Sequence, residues 1–493
     1  MVKQSKHKDD NIWSDPIFDY FAKISLIPRP SGKEEKIIKF LKEFAQSHKL
    51  DITIDKVGNT LIKKGASEGY KNRCTTVLQA HVDMVCEKEA NIEHDFLKDP
   101  IKPYVHNGWL KAKGTTLGAD NGVGVAMILA CLADNTLSHG PIEALFTVDE
   151  ESGLTGAKAL EADFYKGSIL INLDTEQEGE ICVGCAGGVT SRFTFNFSPE
   201  SPPEGYFFVQ VEIDRLRGGH SGDDIDKGYA NANKILAHFL NIVFDKYDAR
   251  LCHIHGGNLH NAIPRQASAI IALPSAYKEN IRVDFNIFCS DVEAEYYNIE
   301  SGIRFVMSST DASTTCMDKK TSINLIHSLR SVHNGVYRMS SRIPGLVQTS
   351  TNLASIRMEN NSVVVVASQR SMSDWGLSDV VGSVKSTFRL AGANVAQSDG
   401  YPGWEPNLQS EILKIAVPVY QELFGVEPKV KAIHAGLECG LFLKNRPELD
   451  MISIGPTILG AHSPSERLEI TTVKKSWDFL LAILRNIPPV ETI

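Results

Sequence analysis

No stretch of this sequence is apolar for long enough to cross a bilayer, and no block of basic residues interrupts it. The first absence argues against a helical membrane protein. The second, with a formal net charge of −9, leaves no electrostatic footprint for nucleic acid or an anionic membrane surface. The expected partner is a small molecule, with no nucleic acid and no membrane. The opening text MVKQSKHKDDNIW lacks the apolar run and small-residue cleavage site of a secretory leader, so the expected location is cytoplasmic. Cysteine is sparse, at nine residues, an odd number set mostly within apolar runs such as those around Cys131 and Cys289. These read as reduced thiols, not as a disulfide framework. The close pair Cys182 and Cys185 has no second Cys or His pair beside it. It therefore reads as a strand entering the glycine-rich turn at 184–188, not as a zinc knuckle. Internal repeats and low-complexity tracts are also missing.

What is present is ordinary globular text, 42% hydrophobic and 23% charged, over 493 residues, too many for one simple core. Apolar β-branched runs at 75–79 (TTVLQ), 144–148 (ALFTV) and 169–173 (ILINL) predict buried strands. They alternate with helical text such as 121–133, and this alternation predicts an α/β domain with a largely parallel sheet. The proline-rich segment 198–205 (SPESPPEG) marks a boundary. After it come an alternating strand at 207–213, a helix at 228–243, and strands at 267–273 and 363–367, the pattern of a smaller α+β domain. From about residue 385 the α/β character returns, with a helix at 411–424, a strand at 451–454 and a closing helix at 473–487. The expected organisation is a discontinuous α/β domain, 1–203 and 386–493, interrupted by an α+β lid domain at 204–385. Its central sheet is expected to be mixed, mostly parallel and flanked by helices.

The predicted strands of the first domain stop at acids or imidazoles. His81 and Asp83 follow the first, Glu150 and Glu151 the second, and Asp174 the third. Asp120 precedes the 121–133 helix, and His462 lies in the loop GPTILGAHSP after the C-terminal strand. Each has a plain structural reading: Asp120 as a helix cap, Glu150 and Glu151 as a solvated turn, Asp174 as a strand-end acid, His81 as a core histidine. Together they are harder to dismiss, because open α/β sheets place sites at the carboxyl ends of strands. Two His and several acids gathered there need a cation to neutralise them. A His and carboxylate set without cysteine favours Zn²⁺, Mn²⁺ or Co²⁺. Two ions about 3.5–4 Å apart need about five ligands and one bridge. His81, Asp120, Glu151, Asp174 and His462 supply them: Asp120 bridging, His81 and Asp174 on one ion, Glu151 and His462 on the other. On an extended chain Asp83 shares a face with His81 and can fix its tautomer. Glu150 and Glu151 would then point to opposite sides, leaving Glu150 as the general base. The glycines Gly122 and Gly124 open a helix, but Met127 stands at the sixth position of a GxGxxG pattern and an acid precedes the turn. They read as room for close helix–sheet packing, not as a dinucleotide site.

The segments HVDMV, GTTLGADNGVGVA, TVDEESGLTGA, NLDTEQEGE and AHSPSE resemble the signatures of the co-catalytic zinc peptidases, the family that includes carnosinase, peptidase V, peptidase T and carboxypeptidase G. The likeness runs through almost the whole chain, including GCAGG, RGGHSG, NAIPR, GYPGW and HAGLECG. It implies a zinc-peptidase catalytic domain with an inserted lid, two zinc ions per chain with cobalt or manganese as substitutes, and a homodimer. It places the ligand and base roles on the residues already named. Asp at 174 matches the dipeptidase and aminotripeptidase branches, which implies unblocked dipeptide substrates, Xaa-His pairs among them. In the lid, the resemblance implies that His220 stabilises the oxyanion and that Asn261, Arg370 and Gly436 hold the substrate carboxylate; a planar guanidinium suits that task. The rivals are an aminotripeptidase, an N-acyl-amino-acid amidohydrolase of the same family, and a catalytically silent metal-binding scaffold. The complete ligand set with Glu150 argues against the last.

Overall fold

Strands with no polar alternation, such as Thr76–His81, Ile142–Thr147 and Ile169–Asn172, are buried on both faces and belong in the middle of a covered sheet. The computed structural model, which describes residues 9–311, 313 and 315–490, places them there. The chain divides into two compact units. One comprises the described residues through Gly184, with Pro406–Ala432 and the chain from Glu438 onward; the other comprises Cys185–Glu405 and Ile433–Leu437.

The first unit holds an eight-stranded sheet in the order Asp51–Ile54, Thr60–Lys64, Ile142–Thr147, Thr76–His81, Ile169–Asn172, Asp450–Ser453, Glu180–Cys185 and Lys429–Ile433. Its four central strands, Ile142–Thr147 to Asp450–Ser453, run parallel. Antiparallel pairings flank them, so the sheet is mixed as expected but parallel only at its centre. Helices Pro16–Ser25, Ala119–Ala133, Glu411–Phe424 and Ile470–Asn486 share one apolar core with it. Helix Ala119–Ala133 is buried along nearly its whole length, which its run VGVAMILACLA requires. The small residues serve close packing: a Cβ on Gly122 would come within 2.6 Å of the Arg29 guanidinium, and one on Gly124 within 2.8 Å of the Leu173 carbonyl. Cys182 and Cys185 lie on the buried strand Glu180–Cys185.

The second unit is built on an antiparallel sheet ordered Arg304–Ser309, Tyr206–Asp214, Ala267–Pro274, Arg250–Gly256, Val347–Glu359, Ser362–Ser371, Gly187–Asn196 and Asn394–Gln397. Strand Gly335–Met339 also pairs with Val347–Glu359. Helices Ala232–Lys246, Lys278–Glu295, Lys319–Ser331 and Asp374–Leu390 cover its apolar face. Asn231 starts the first of these by accepting the amides of Asn233 and Lys234.

The boundaries expected at 203 and 385 differ from those observed. Strand Gly187–Asn196 pairs with Ser362–Ser371 and with Asn394–Gln397, so both ends of the second unit extend beyond 204–385. The proline-rich segment is not a linker between units. It joins two strands of one sheet, and Pro199–Glu200 pairs with Cys316–Met317 on the way.

Candidate functional site

The parallel strands of the first unit deliver their functional groups to one edge. His81 is the last residue of its strand, Asp174 lies two residues beyond Ile169–Asn172, and Glu150 and Glu151 follow Ile142–Thr147. Asp120 stands at the head of the long buried helix, where it does not act as a cap. One of its oxygens, Oδ1, lies 3.1 Å from His81 Nε2, and the other, Oδ2, lies 3.1 Å from His462 Nε2. His81 Nε2 is also 3.5 Å from Asp174 Oδ1, and His462 Nε2 is 3.0 Å from Glu151 Oε2. Two overlapping groups result, His81–Asp120–Asp174 and Asp120–Glu151–His462, joined through Asp120. Ligands held about 2.0–2.1 Å from a tetrahedral ion stand about 3.3 Å from one another, and the His–carboxylate distances of both groups, 3.0–3.5 Å, lie around that value. Glu151 Oε1 is buried without a hydrogen-bond partner, a costly position unless a cation meets it. The donor chemistry and the spacing therefore fit a pair of divalent cations.

Glu150 and Glu151 are not extended. They open the short helix Glu150–Gly153, and alternation does not separate them. The reason is Asp83, whose two oxygens accept the backbone amides of Glu150 (3.1 Å) and Glu151 (3.2 Å) and hold them at a helical turn. Glu150 consequently lies in a third grouping with His81 and Glu151. Asp83 also stands 3.3 Å from His81 Nδ1 and accepts the Ser31 hydroxyl at 2.8 Å. It thus lies beside the imidazole, as expected, and also anchors the turn that carries Glu150, which its sequence position gave no reason to expect.

Two buried residues that the motifs did not assign hold the loop before Asp120. Glu466, in the AHSPSE segment, accepts the amides of Leu117, Gly118, Ala119 and Asp120 at 2.7–3.3 Å. Arg29 donates to the carbonyls of Val82, Asp83 and Gly118 at 2.6–2.9 Å, tying the His81 strand end to that loop. Asn121 donates to the Leu173 carbonyl and to Asp174. His462 is presented from a left-handed backbone (φ 62°), a conformation that costs a non-glycine residue on the order of 1 kcal/mol.

The electrostatics follow from burial and crowding. Burial opposes charge on His81, but the facing carboxylates of Asp174, Asp120 and Asp83 hold its imidazole well above the usual range. His462 is pushed up to about 11 by its hydrogen bonds to Asp120 and Glu151. Burial also raises the carboxyls of Glu150, Glu151 and Asp174. Asp120 is buried too, yet its hydrogen bonds from His462 and His81 keep it far below the carboxylate range. Protons on the raised groups compete with a cation and must leave when one binds. Zinc retention is therefore expected to weaken as the pH is lowered from about 8 to about 5. Calorimetric titration in two buffers of different ionisation enthalpy should show net proton release; affinity that does not change with pH would contradict this assignment.

The second unit gathers a separate polar cluster. His220 lies on the short strand Gly219–His220, paired with Ala262–Ile263, which places Asn261 beside it: the Ser221 amide donates to the Asn261 carbonyl at 2.8 Å. Arg370, on Ser362–Ser371, is buried, its Nε has no hydrogen-bond partner among the described residues, and the nearby Asp223 carboxylate is held low by His220 and Arg370. Arg370 donates to the Tyr401 hydroxyl (3.0 Å) and the Ser221 hydroxyl (3.4 Å), and it stands 3.5 Å from His220 Nε2. Tyr401, in GYPGW, explains two glycines: a Cβ on Gly188 or Gly436 would come within 2.9 Å of its ring or hydroxyl. Gly436 thus admits the ring that supports Arg370. His434 donates to or accepts from Ser350 at 2.7 Å, and burial with the nearby Arg370 holds it down at about 3, so it is neutral near pH 7.

Residues 77–486 match peptidase family M20/M25/M40. The chain belongs to that family. Members of this peptidase family are metal-dependent, in keeping with the donor set described above. One relative, the cytosol non-specific dipeptidase of Escherichia coli, is 41% identical over 96% of this chain and 98% of its own length. The crystal structure of an aminoacylhistidine dipeptidase from Vibrio alginolyticus superposes with a TM-score of 0.86 at 43% identity, covering 96% of this chain and 97% of that one. Human carnosine dipeptidase 1, at 12% identity and a TM-score of 0.52, shares the fold across 96% of both chains. Among the described residues no helix is long and apolar enough to cross a membrane.

Proposed function

We propose that this M20-family chain is a dipeptidase that hydrolyses unblocked dipeptides, Xaa-His pairs among them, with two zinc ions held by His81, Asp120, Glu151, Asp174 and His462. The observation that carries this reading is Asp120, whose two oxygens face different imidazoles and join two groups of metal-ligating side chains. Cobalt or manganese suits the same donors. Bound there, the ions supply Lewis acidity towards the scissile carbonyl and towards water.

The chain's own groups do the rest. Glu150 takes a proton from the attacking water and returns it to the leaving amine. Burial raises its carboxyl, so it holds a proton more readily than an exposed carboxylate does. Asp83 orients His81 and fixes the turn on which Glu150 sits. We assign His220 to the developing oxyanion, and Arg370 with Asn261 and the Gly436 segment to the substrate carboxylate. A buried guanidinium that hydrogen-bonds hydroxyls and keeps its Nε without a partner has donors to offer a carboxylate. The dipeptidase names of the Escherichia coli and Vibrio alginolyticus relatives support the substrate class. The name of the former also supports a cytoplasmic location. We include in this proposal the homodimer that the family resemblance implies, which sedimentation at twice the chain mass would show.

A substrate panel tests the reading. Free dipeptides are expected to be cleaved, and tripeptides and N-acetylated dipeptides to resist. Dipeptide amides, which offer Arg370 no carboxylate, are expected to have a KM raised by about 10-fold or more. Cleavage of tripeptides alone would indicate an aminotripeptidase, and cleavage of N-acetylated substrates alone an N-acyl-amino-acid amidohydrolase. A protein that holds two ions and cleaves none of these would be a scaffold.

A further inference from the structure

Below the ion-binding edge, the central sheet of the first unit is crossed by a row of buried polar side chains, one from each parallel strand. Gln79, Asn172 and Ser453 are register partners on three neighbouring strands, and Thr147 on the fourth is paired with His81. All four are at most 1% exposed. Glu438, in the HAGLECG segment, closes one end of the row. Its Oε2 accepts Gln79 Nε2 and Thr147 Oγ1, each at 2.7 Å. Gln79 Oε1 then accepts Asn172 Nδ2 at 2.5 Å. Asn172 Oδ1 in turn accepts the Ser453 hydroxyl and, at 3.3 Å, the backbone amide of Asp174.

Amides can present either end to a neighbour, so such a row needs one member that fixes its direction. Glu438 Oε2 receives both adjacent donors, which obliges Gln79 to turn its nitrogen towards Glu438 and its oxygen towards Asn172. Asn172 must then offer its oxygen to the Asp174 amide. A reversed Asn172 would put two donors face to face at the root of Asp174. The row also lies two residues before His81, on the same face of the strand. Buried polar groups in an otherwise apolar sheet are costly, and the hydrogen bonds along the row offset that cost, although Glu438 Oε1 is buried without a partner among the described residues.

We propose that Glu438 is a positioning residue for the ion centre: by fixing the direction of this row it holds Asp174 and His81 at the spacing a cation requires. The inference rests on the reading of His81 and Asp174 as ion ligands. Its test is zinc affinity, measured on metal-stripped protein by competition with a chelating dye, with circular dichroism to confirm the fold. Wild type is expected to take up zinc, and Glu438→Ala to bind it about 10- to 100-fold more weakly. Glu438→Gln can still present an oxygen to both donors and is expected to return affinity to within about threefold of wild type. Gln79→Met, which cuts the row between Glu438 and Asn172, is expected to reproduce the alanine effect and stands in for it if Glu438→Ala does not fold. Wild-type affinity in Glu438→Ala or Gln79→Met would overturn the inference. So would equal loss in Glu438→Gln and Glu438→Ala, which would assign the effect to charge. A wild type that takes up no zinc would instead remove the ligand reading on which the inference stands.

Discussion

Replacing Asp120 by alanine is expected to strip both ions from the protein and bring dipeptide turnover to background. Asp120 is the residue shared by the two ligand groups, and without it each is left with one imidazole and one carboxylate, His81 with Asp174 and His462 with Glu151. Two protein ligands fall short of the three that catalytic zinc sites keep. Losing a single bridge should therefore cost both sites together, not one of them. The loop that presents Asp120 is held independently by Glu466 and Arg29, so the variant is expected to keep its fold. Metal analysis after dialysis, beside circular dichroism, checks this. A folded Asp120→Ala protein that still carries two ions would show that Asp120 does not bridge.

Glu150→Gln is expected to separate chemistry from metal binding. The substitution keeps the shape and the Asp83-anchored turn but removes the group that moves the proton. Positioned general acid–base groups contribute up to about 10⁴-fold, so turnover should fall by about a thousandfold or more while both ions stay bound. The result is informative because the structure leaves Glu150 close enough to His81 and Glu151 to ligate. Loss of an ion in proportion to the loss of turnover would make Glu150 a ligand and require another base. Unchanged turnover would remove it from the mechanism.

The fold could be read from the sequence where burial dictates the residue pattern. The central strands are apolar on both faces and end in chemistry, so their existence and their shared edge followed from the text alone. The same holds for helix Ala119–Ala133, whose apolar run has no polar face to expose. The unit boundaries were less legible, because membership of a sheet is decided by distant partners. Nothing local to 187–196 reveals that it will pair with 362–371 and 394–397. The turn at Glu150 was read as extended for the same kind of reason. Its helical geometry is set by Asp83, 67 residues earlier in the chain. Arg29, Glu466 and Glu438 went unassigned because their partners lie far away in sequence and their own surroundings are ordinary polar text. The loop amides that Glu466 holds, for example, are nearly 350 residues from it. His81, Glu150, Glu151 and Asp174 carried a signal because they lie at or just beyond strand ends; the residues that hold them in place carried none, because contacts between segments distant in sequence leave no periodic trace.

The most direct test of the two-ion centre is anomalous diffraction at the zinc edge from crystals of the wild-type protein equilibrated with zinc. The expected map shows two peaks about 3.5–4 Å apart, one beside His81 and Asp174, the other beside Glu151 and His462, with the Asp120 carboxylate between them. A single peak, or two peaks away from these five residues, would contradict the assignment.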